Sequence, residues 1–514
     1  MERAGLLFIA VVIFLGGCTG LAPVLRTIPE KHEAIGDTDC LALLQTLDDL
    51  VAIARTGDAQ ASRIKGFPYL RTNRLLSSYR NEDLGDRAYD AWVGRMLVLD
   101  REARSVELAN MPLDSRTEVR TTLKQHGKGD INAQIEACGN RLANQQLSTT
   151  TVRHELRQRA LVEESYRLEM RIAGLYPVTL LPVAYGVHRW QKRTSENHRA
   201  FSNAEPADNQ SVIYSTARMK ENIDHKRVAA ILDKASKNPL RIPLPEERQR
   251  DYLFSAFAPV WEVDQASGSD AIGAPVWLDP NGPPMVDTTR PTVFRHISHS
   301  RFHGHTLLQL NYVIWFPSRP CTSPLDILCG QLDGLTWRVT LSPQGEPLIY
   351  DSIHNCGCYH LFYPTVLLDR KPSAPTLDEG EFVPATAPII GDDERLVIRL
   401  SAGNHYIESV YSTAALGFEQ KLAWGDYNQL RSLPLPGGDR RSLFLPKSGL
   451  VQGSERAERW ILWPMGVISP GAMRQWGHHA TAFVGQRHFD DPFLFESAFQ
   501  SAQPTELPES IPAE

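Results

Sequence analysis

Residues 296–316 read HISHSRFHGHTLLQLNYVIWF. From Leu307 onward the run is aliphatic and aromatic with no helical spacing, which predicts a strand over 307–316. A loop with Pro317, Pro320, Cys321, Pro324 and Cys329 follows, then strands expected over 336–341 and 348–352, the segment HNCGCYH at 354–360, and a strand over 361–368. Working outward, further strands are expected over 260–263, 276–278, 292–296, 395–400 and 406–411. Turns such as Pro280-Asn281-Gly282-Pro283 and Ser342-Pro343-Gln344-Gly345 lie between them. Short strands joined by hairpin-like turns predict a mostly antiparallel β-rich domain over 251–495, either a sandwich or a strongly bent sheet.

The chain before it has another texture. Asp37-Thr38-Asp39 supplies N-caps for a helix carrying Leu41, Leu44, Leu47, Leu50 and Val51 at helical spacing. A long amphipathic helix is expected over 83–110, with Trp92, Met96, Leu99 and Ala103 on its buried side and Met111-Pro112 at its end. Helices over 115–126, 130–146 and 152–173 complete an α-helical domain at 37–190. The apolar run 178–187 is broken by Pro182 and is too short to span a bilayer. Residues 191–250 read as a polar linker with one helix at 228–237, and 496–514 as a disordered tail. The fold class is therefore α+β, an α-helical N-terminal domain followed by the β-rich one.

At 514 residues the chain exceeds what one hydrophobic core organises, in keeping with two domains. With 42% hydrophobic and 22% charged residues it is neither disordered throughout nor a multispanning membrane protein. A net charge of −6 with scattered Lys and Arg gives no footprint for nucleic acid, so no nucleic-acid partner is expected. P-loop, dinucleotide, GxSxG and HExxH patterns are all missing from the sequence.

The N-terminus carries the most specific motif. Arg3 precedes the apolar segment Leu6–Leu15 (LLFIAVVIFL), and Leu15-Gly16-Gly17-Cys18 follows. This resembles the lipobox of bacterial lipoproteins, over the first eighteen residues only. The resemblance implies a signal peptide at 1–17, cleavage before Cys18, a lipid on the Cys18 thiol and an acylated N-terminus, with 18–36 as a tether. Several acyl chains make such an anchor stable. Thr19, in place of an Asp, implies the outer membrane, facing the periplasm. The membrane is then the expected partner and the cell envelope the expected location.

Setting Cys18 aside leaves Cys40, Cys138, Cys321, Cys329, Cys356 and Cys358. An even number in an oxidising compartment predicts up to three disulfides. Cys40 and Cys138 are the natural pair in the N-terminal half. The other four allow three connectivities.

Six of the sixteen histidines and four of the seven cysteines fall between His296 and His360. In a strand, His303 and His305 would project from one face, where two imidazoles suit zinc or copper. In a helix, His299 and His303 would share a face instead. His354 and His360 flank Asp351 and the Cys pair at a strand end, and His478 and His479 form a third group. The expectation is a divalent-metal site drawn from His303, His305, His354, His360 and one of His478 and His479, with Asp351 as general base or orienter. That would make the protein a metal-dependent hydrolase of the envelope. The rival expectation is a non-enzymatic envelope binding or assembly protein whose His and disulfides are structural.

Overall fold

The computed structural model describes residues 38–117, 130–201, 211–217, 223–372 and 377–502. The signal segment, Cys18, the tether and residues 503–514 lie outside the described residues, as does most of the expected 115–126 helix.

The N-terminal region contains α1 (Thr38–Ala54), a β1 (Ser62–Ile64)/β2 (Phe67–Thr72) hairpin, α2 (Arg74–Ser78), α3 (Asp86–Ala109), α4 (Ile131–Gln146), α5 (Thr150–Arg159), α6 (Leu168–Ala173) and α7 (Tyr176–Phe201). Asp130 and Thr149 accept from Asn132 N–H and Val152 N–H and so cap α4 and α5. The apolar stripes of α1, α3 and α4 close on β2 through Leu44, Tyr69, Trp92, Met96 and Leu142. The Cys40–Cys138 disulfide ties α1 to α4, as the cysteine count predicts. The helix expected over 152–173 is interrupted. Ala160 is buried in the core, and Arg167 N–H bonds to Gly466 O at 2.8 Å, so the chain leaves the helix to meet the C-terminal segment.

Residues 191–250 are not a linker. They complete α7 and supply β3 (Ser211–Ser215), α8 (His225–Ala235) and the start of α9 (Glu247–Ala256). Tyr214, Val228 and Leu232 belong to the β core, while Leu240 and Ile242 belong to the helical core. The segment has few apolar side chains, yet it plugs both cores.

The β region holds β4 (Val260–Asp264), β5 (Ala274–Val276), β6 (Met285–Asp287), β7 (Thr292–Phe302), β8 (His305–Arg319), β9 (Gly330–Leu341), β10 (Pro347–His354), β11 (Leu361–Pro364), β12 (Leu368–Arg370), β13 (Arg395–Leu400), β14 (Ile407–Thr413), β15 (Glu419–Lys421) and β16 (Ala423–Asp426). A six-stranded sheet runs β11-β10-β9-β8-β7-β16 and a five-stranded one β14-β13-β4-β3-β15. Pairing is antiparallel except at β7/β16, β4/β13 and β3/β15. Leu308, Leu310, Tyr312, Ile314 and Phe316 of β8, with Leu335, Trp337 and Val339 of β9, face Trp261, Val263, Ile398 and Leu400 of the other sheet. This is a sandwich core with the two-residue period of strands.

The outer face of the six-stranded sheet is covered as well. Val313 and Trp315 meet Tyr427, Phe444 and Met473, while Ile349 and Phe362 meet Phe495 and Phe499. Burial on both faces is why β8 reads as a continuous apolar run rather than an alternating one. It also corrects the expected tail. Phe499 is fully buried, and the strand Phe499–Ser501 pairs with β12, so the fold extends at least to residue 502.

Candidate functional site

The expected metal ligands stand apart. His303 and Gly304 form the two-residue turn between β7 and β8, with φ of +48° and +77°, closing on the Phe302–His305 pair. Two left-handed residues in a two-residue loop make a type I′ turn. His303 is therefore exposed at a hairpin tip and His305 half-buried beside it, and they do not share a strand face. The expected strand through His303 and His305 is broken by this turn, while the strands expected over 292–296 and 307–316 are β7 and β8, each reaching the hairpin tip.

Asp351 and His360 belong to a sealed ion pair. Asp351 lies opposite Arg338 in the β10/β9 ladder. Its Oδ1 accepts from Arg338 Nε at 2.8 Å, its Oδ2 accepts from Arg338 Nη2, and Oδ2 is also 2.8 Å from His360 Nε2. Arg338 Nη1 donates to Phe489 O at 2.6 Å. Against the burial that would raise it, the Arg338 charge and the His360 bond hold the Asp351 carboxyl below its usual value. Burial pushes His360 down to about 3 despite Asp351. Asp351 is wholly buried and borders none of the three principal cavities. It is an anchor, not the expected general base.

His354 joins a second buried network. Asp333 Oδ2 is 2.9 Å from His405 Nδ1, and Asp333 Oδ1 accepts from Arg456 Nη2 at 3.1 Å and is 3.5 Å from His354 Nδ1. Asp270 lies 3.3 Å from His405 Nε2 and accepts the N–H groups of Ala266, Ser267 and Gly403. Burial lowers His354, whereas at His405 the two carboxylates overcome burial and raise the pKa. The His405 ring stacks on Phe316 at 3.8 Å. His405 is thus held between two carboxylates that favour its protonated form, so a charge there has its partners in place. His478 and His479 face different backbone carbonyls, Ala59 O at 2.7 Å and Asn355 O at 3.3 Å. Among the described residues no group of three or more His, Cys, Asp or Glu is arranged to hold a metal ion.

The cysteines divide likewise. Cys321 pairs with Cys329, while Cys356 and Cys358 are buried free thiols rather than the expected staple. A hydrogen bond from Cys358 lowers the Cys356 thiol, and its counterpart raises Cys358.

What the fold does build is a cleft of about 530 Å³ where the helical region meets the sandwich. Its floor is the edge of β7. β16 pairs with β7 only as far as Arg295, and Arg301 N–H is taken by Pro492 O at 2.6 Å. Strand alternation turns the backbone groups of Ile297 and His299 to the same side as those of Arg301, into the cleft. An unpaired strand edge of this kind is a template for another extended chain.

The side chains around the edge are distinctive. The His296 ring packs on Tyr427 and Trp476, with centroids 5.1 and 4.6 Å away, and makes no hydrogen bond to described residues. Burial, with the Arg431 charge, pushes it down to about 3. His299 donates from Nε2 to Pro243 O at 2.7 Å, which leaves Nδ1 as an acceptor, and burial pushes it down to about 4. Both rings are neutral at pH 7. Arg95 of α3 borders the cleft near His299, half-buried and without a direct ion-pair partner among the described residues. Burial lowers its pKa, and Glu102 offsets this only in part.

The two regions are pinned around the cleft. Arg431 donates to both oxygens of Asp58 at 3.0 and 2.8 Å, and Arg74 Nε reaches Asp490 at 3.1 Å. Arg95 carries no signal in the sequence, whereas Trp476 stands out there only as the neighbour of the His478-His479 pair. Arg95 is an ordinary polar position of an amphipathic helix until the sheet edge is set beside it. No family model, curated protein or solved structure matches the chain.

Proposed function

We propose that this is a lipid-anchored protein of the cell envelope that works by binding, and that the cleft takes an extended peptide carrying a carboxylate. The open β7 edge at Ile297 and His299, with the unpaired Arg95 beside it, is the observation that carries the reading. Peptides add to such an edge through main-chain hydrogen bonds, and an arginine fixes a carboxylate at the end of the groove. The neutral His296 and His299 offer acceptors and flat surface. With pKa values near 3 and 4 they are weak bases at neutral pH, which favours binding over hydrolysis. The metal-dependent hydrolase finds less support, because His354, His360, His478 and His479 are each committed to separate partners, and His303 and His305 stand apart from them at a hairpin tip.

A pool of random heptapeptides with free carboxyl termini, held against the protein in equilibrium dialysis and read by mass spectrometry, tests the reading. Retention of a subset is expected, falling on C-terminal amidation and in Arg95→Ala. Equal retention by Arg95→Ala, or none by the wild type, overturns it. Stoichiometric zinc or copper in the purified protein would bring the metal reading back.

A further inference from the structure

The longest helix of the described residues, α7, is mostly exposed. Over 176–200 only Thr194 and His198 are buried, and the helix carries large apolar groups in water. At about 100° per residue, Val183, Val187, Trp190, Thr194 and His198 fall on one side of the helix. That side is the packed one: Trp190 meets Tyr359 and Phe382, and His198 Nε2 lies 2.9 Å from Tyr363 Oη.

The opposite side holds Val178, Leu181, Tyr185, Arg189 and Lys192, with Val178, Leu181 and Tyr185 exposed by 66%, 55% and 65%. The outer stripe is thus apolar in its first half and mainly basic in its second, where Arg189, Lys192 and Arg199 outnumber Glu196, with Arg189 over the Tyr185 ring at the boundary. Exposed apolar groups also precede α7. Leu168 and Ile172 of α6 are each 68% exposed, and α6 packs on the turn Trp463–Met465 that follows the short helix Arg459–Leu462, whose Trp460 is 70% exposed.

We propose that this face of α6 and α7 lies in the headgroup layer of an anionic phospholipid bilayer. Apolar residues continued by cations along one helical face, with Tyr and Trp at the margin, match the interface of a charged membrane. Charge argues against a second copy of the chain as the occupant. A two-fold parallel pairing of the stripe sets Arg189 and Lys192 against themselves, and an antiparallel one sets them on the apolar half of the partner. No helix of the described residues is long and apolar enough to cross a membrane, so the contact is one of lying on the surface. The proposal does not depend on a lipid at Cys18.

The test uses the chain from residue 19 onward, which retains all the residues of both cores. It is sedimented with vesicles of phosphatidylethanolamine and phosphatidylglycerol at 7:3, and with vesicles of phosphatidylcholine alone. Binding to the anionic vesicles is expected, weakened by salt and by phosphatidylcholine. The double variant Val178→Glu/Leu181→Glu should lower the bound fraction at least ~10-fold, since both side chains are exposed and the fold does not need them. Circular dichroism checks that the helix persists, and Lys192→Glu gives a second variant with a smaller loss. No binding by the wild type, or equal binding by the double variant, overturns the proposal. A wild-type dimer that the double variant dissolves, without vesicle binding, overturns it in favour of a second copy. The mass of the lipid on Cys18 in the envelope-derived protein is a separate measurement, so failure of either reading leaves the other standing.

Discussion

Replacing Asp351 by Asn should damage stability and spare binding. The carboxylate is fully buried, and Arg338 beside it is 1% exposed. Arg338 directs two hydrogen bonds to Asp351 and one to Phe489 O, and no other carboxylate among the described residues pairs with it. Asn keeps the shape and removes the charge. The guanidinium is left buried and uncompensated, at a cost of about 3–5 kcal/mol. Against a usual total of about 5–15 kcal/mol this is a large fraction. Urea unfolding followed by near-ultraviolet circular dichroism, which reports the buried Trp315 and Trp337 of the same sheet, measures it. The double variant Arg338→Met/Asp351→Leu should recover most of the loss, because a hydrophobic pair of similar volume replaces the ion pair without stranding a charge. A loss under ~1 kcal/mol in Asp351→Asn, or a double variant worse than the single one, would refute the reasoning. Loss of peptide retention in a variant that stays folded would return Asp351 to a functional role.

Other expectations are simpler to state. His296, His360 and His479, each pushed to about 3, and His299, pushed to about 4, are neutral in the fold but charge in the unfolded chain below about 6.5. The unfolded state therefore binds more protons over that window, so stability falls as pH drops below about 6.5, and acid unfolding followed by circular dichroism should be steep and complete above pH 3. His405 has the opposite sign: its folded pKa is raised, so its contribution is full below its unfolded pKa and fades as pH rises through the folded one. His405→Gln should flatten the alkaline side of the stability profile. Thiol titration of the denatured, unreduced chain from residue 19 should find two free thiols, those of Cys356 and Cys358; none would mean that they pair. Converting Cys40 and Cys138 to Ala opens a loop of 98 residues and should cost about 4–5 kcal/mol by urea unfolding.

The two halves of the fold were legible wherever one face of an element decides its burial. The helix expected over 83–110 is α3, Asp86–Ala109, because Trp92, Met96 and Ala103 recur at helical spacing. Five strands of the six-stranded sheet, β7 to β11, are legible from their aromatic and β-branched runs, whereas β16 is not. What failed was what depends on partners distant in sequence. Residues 191–250 read as a linker because Tyr214 or Val228 signals a core only once the sheet is there to receive it. The histidines looked like ligands because density along the chain is visible, while the carbonyls and carboxylates that claim them come from residues such as Ala59, Pro243 and Asp333. The cleft was hidden for the same reason: an open strand edge is a property of where β16 stops.

The central claim is that the β7 edge receives an extended chain. Amide hydrogen exchange over 295–301, with and without the peptides that dialysis retains, tests it most directly. The account predicts that Ile297 and His299 exchange freely in the protein alone and become strongly protected when peptide is bound, an effect lost in Arg95→Ala. Unchanged exchange at those two amides, with protection arising elsewhere in the molecule, would contradict it.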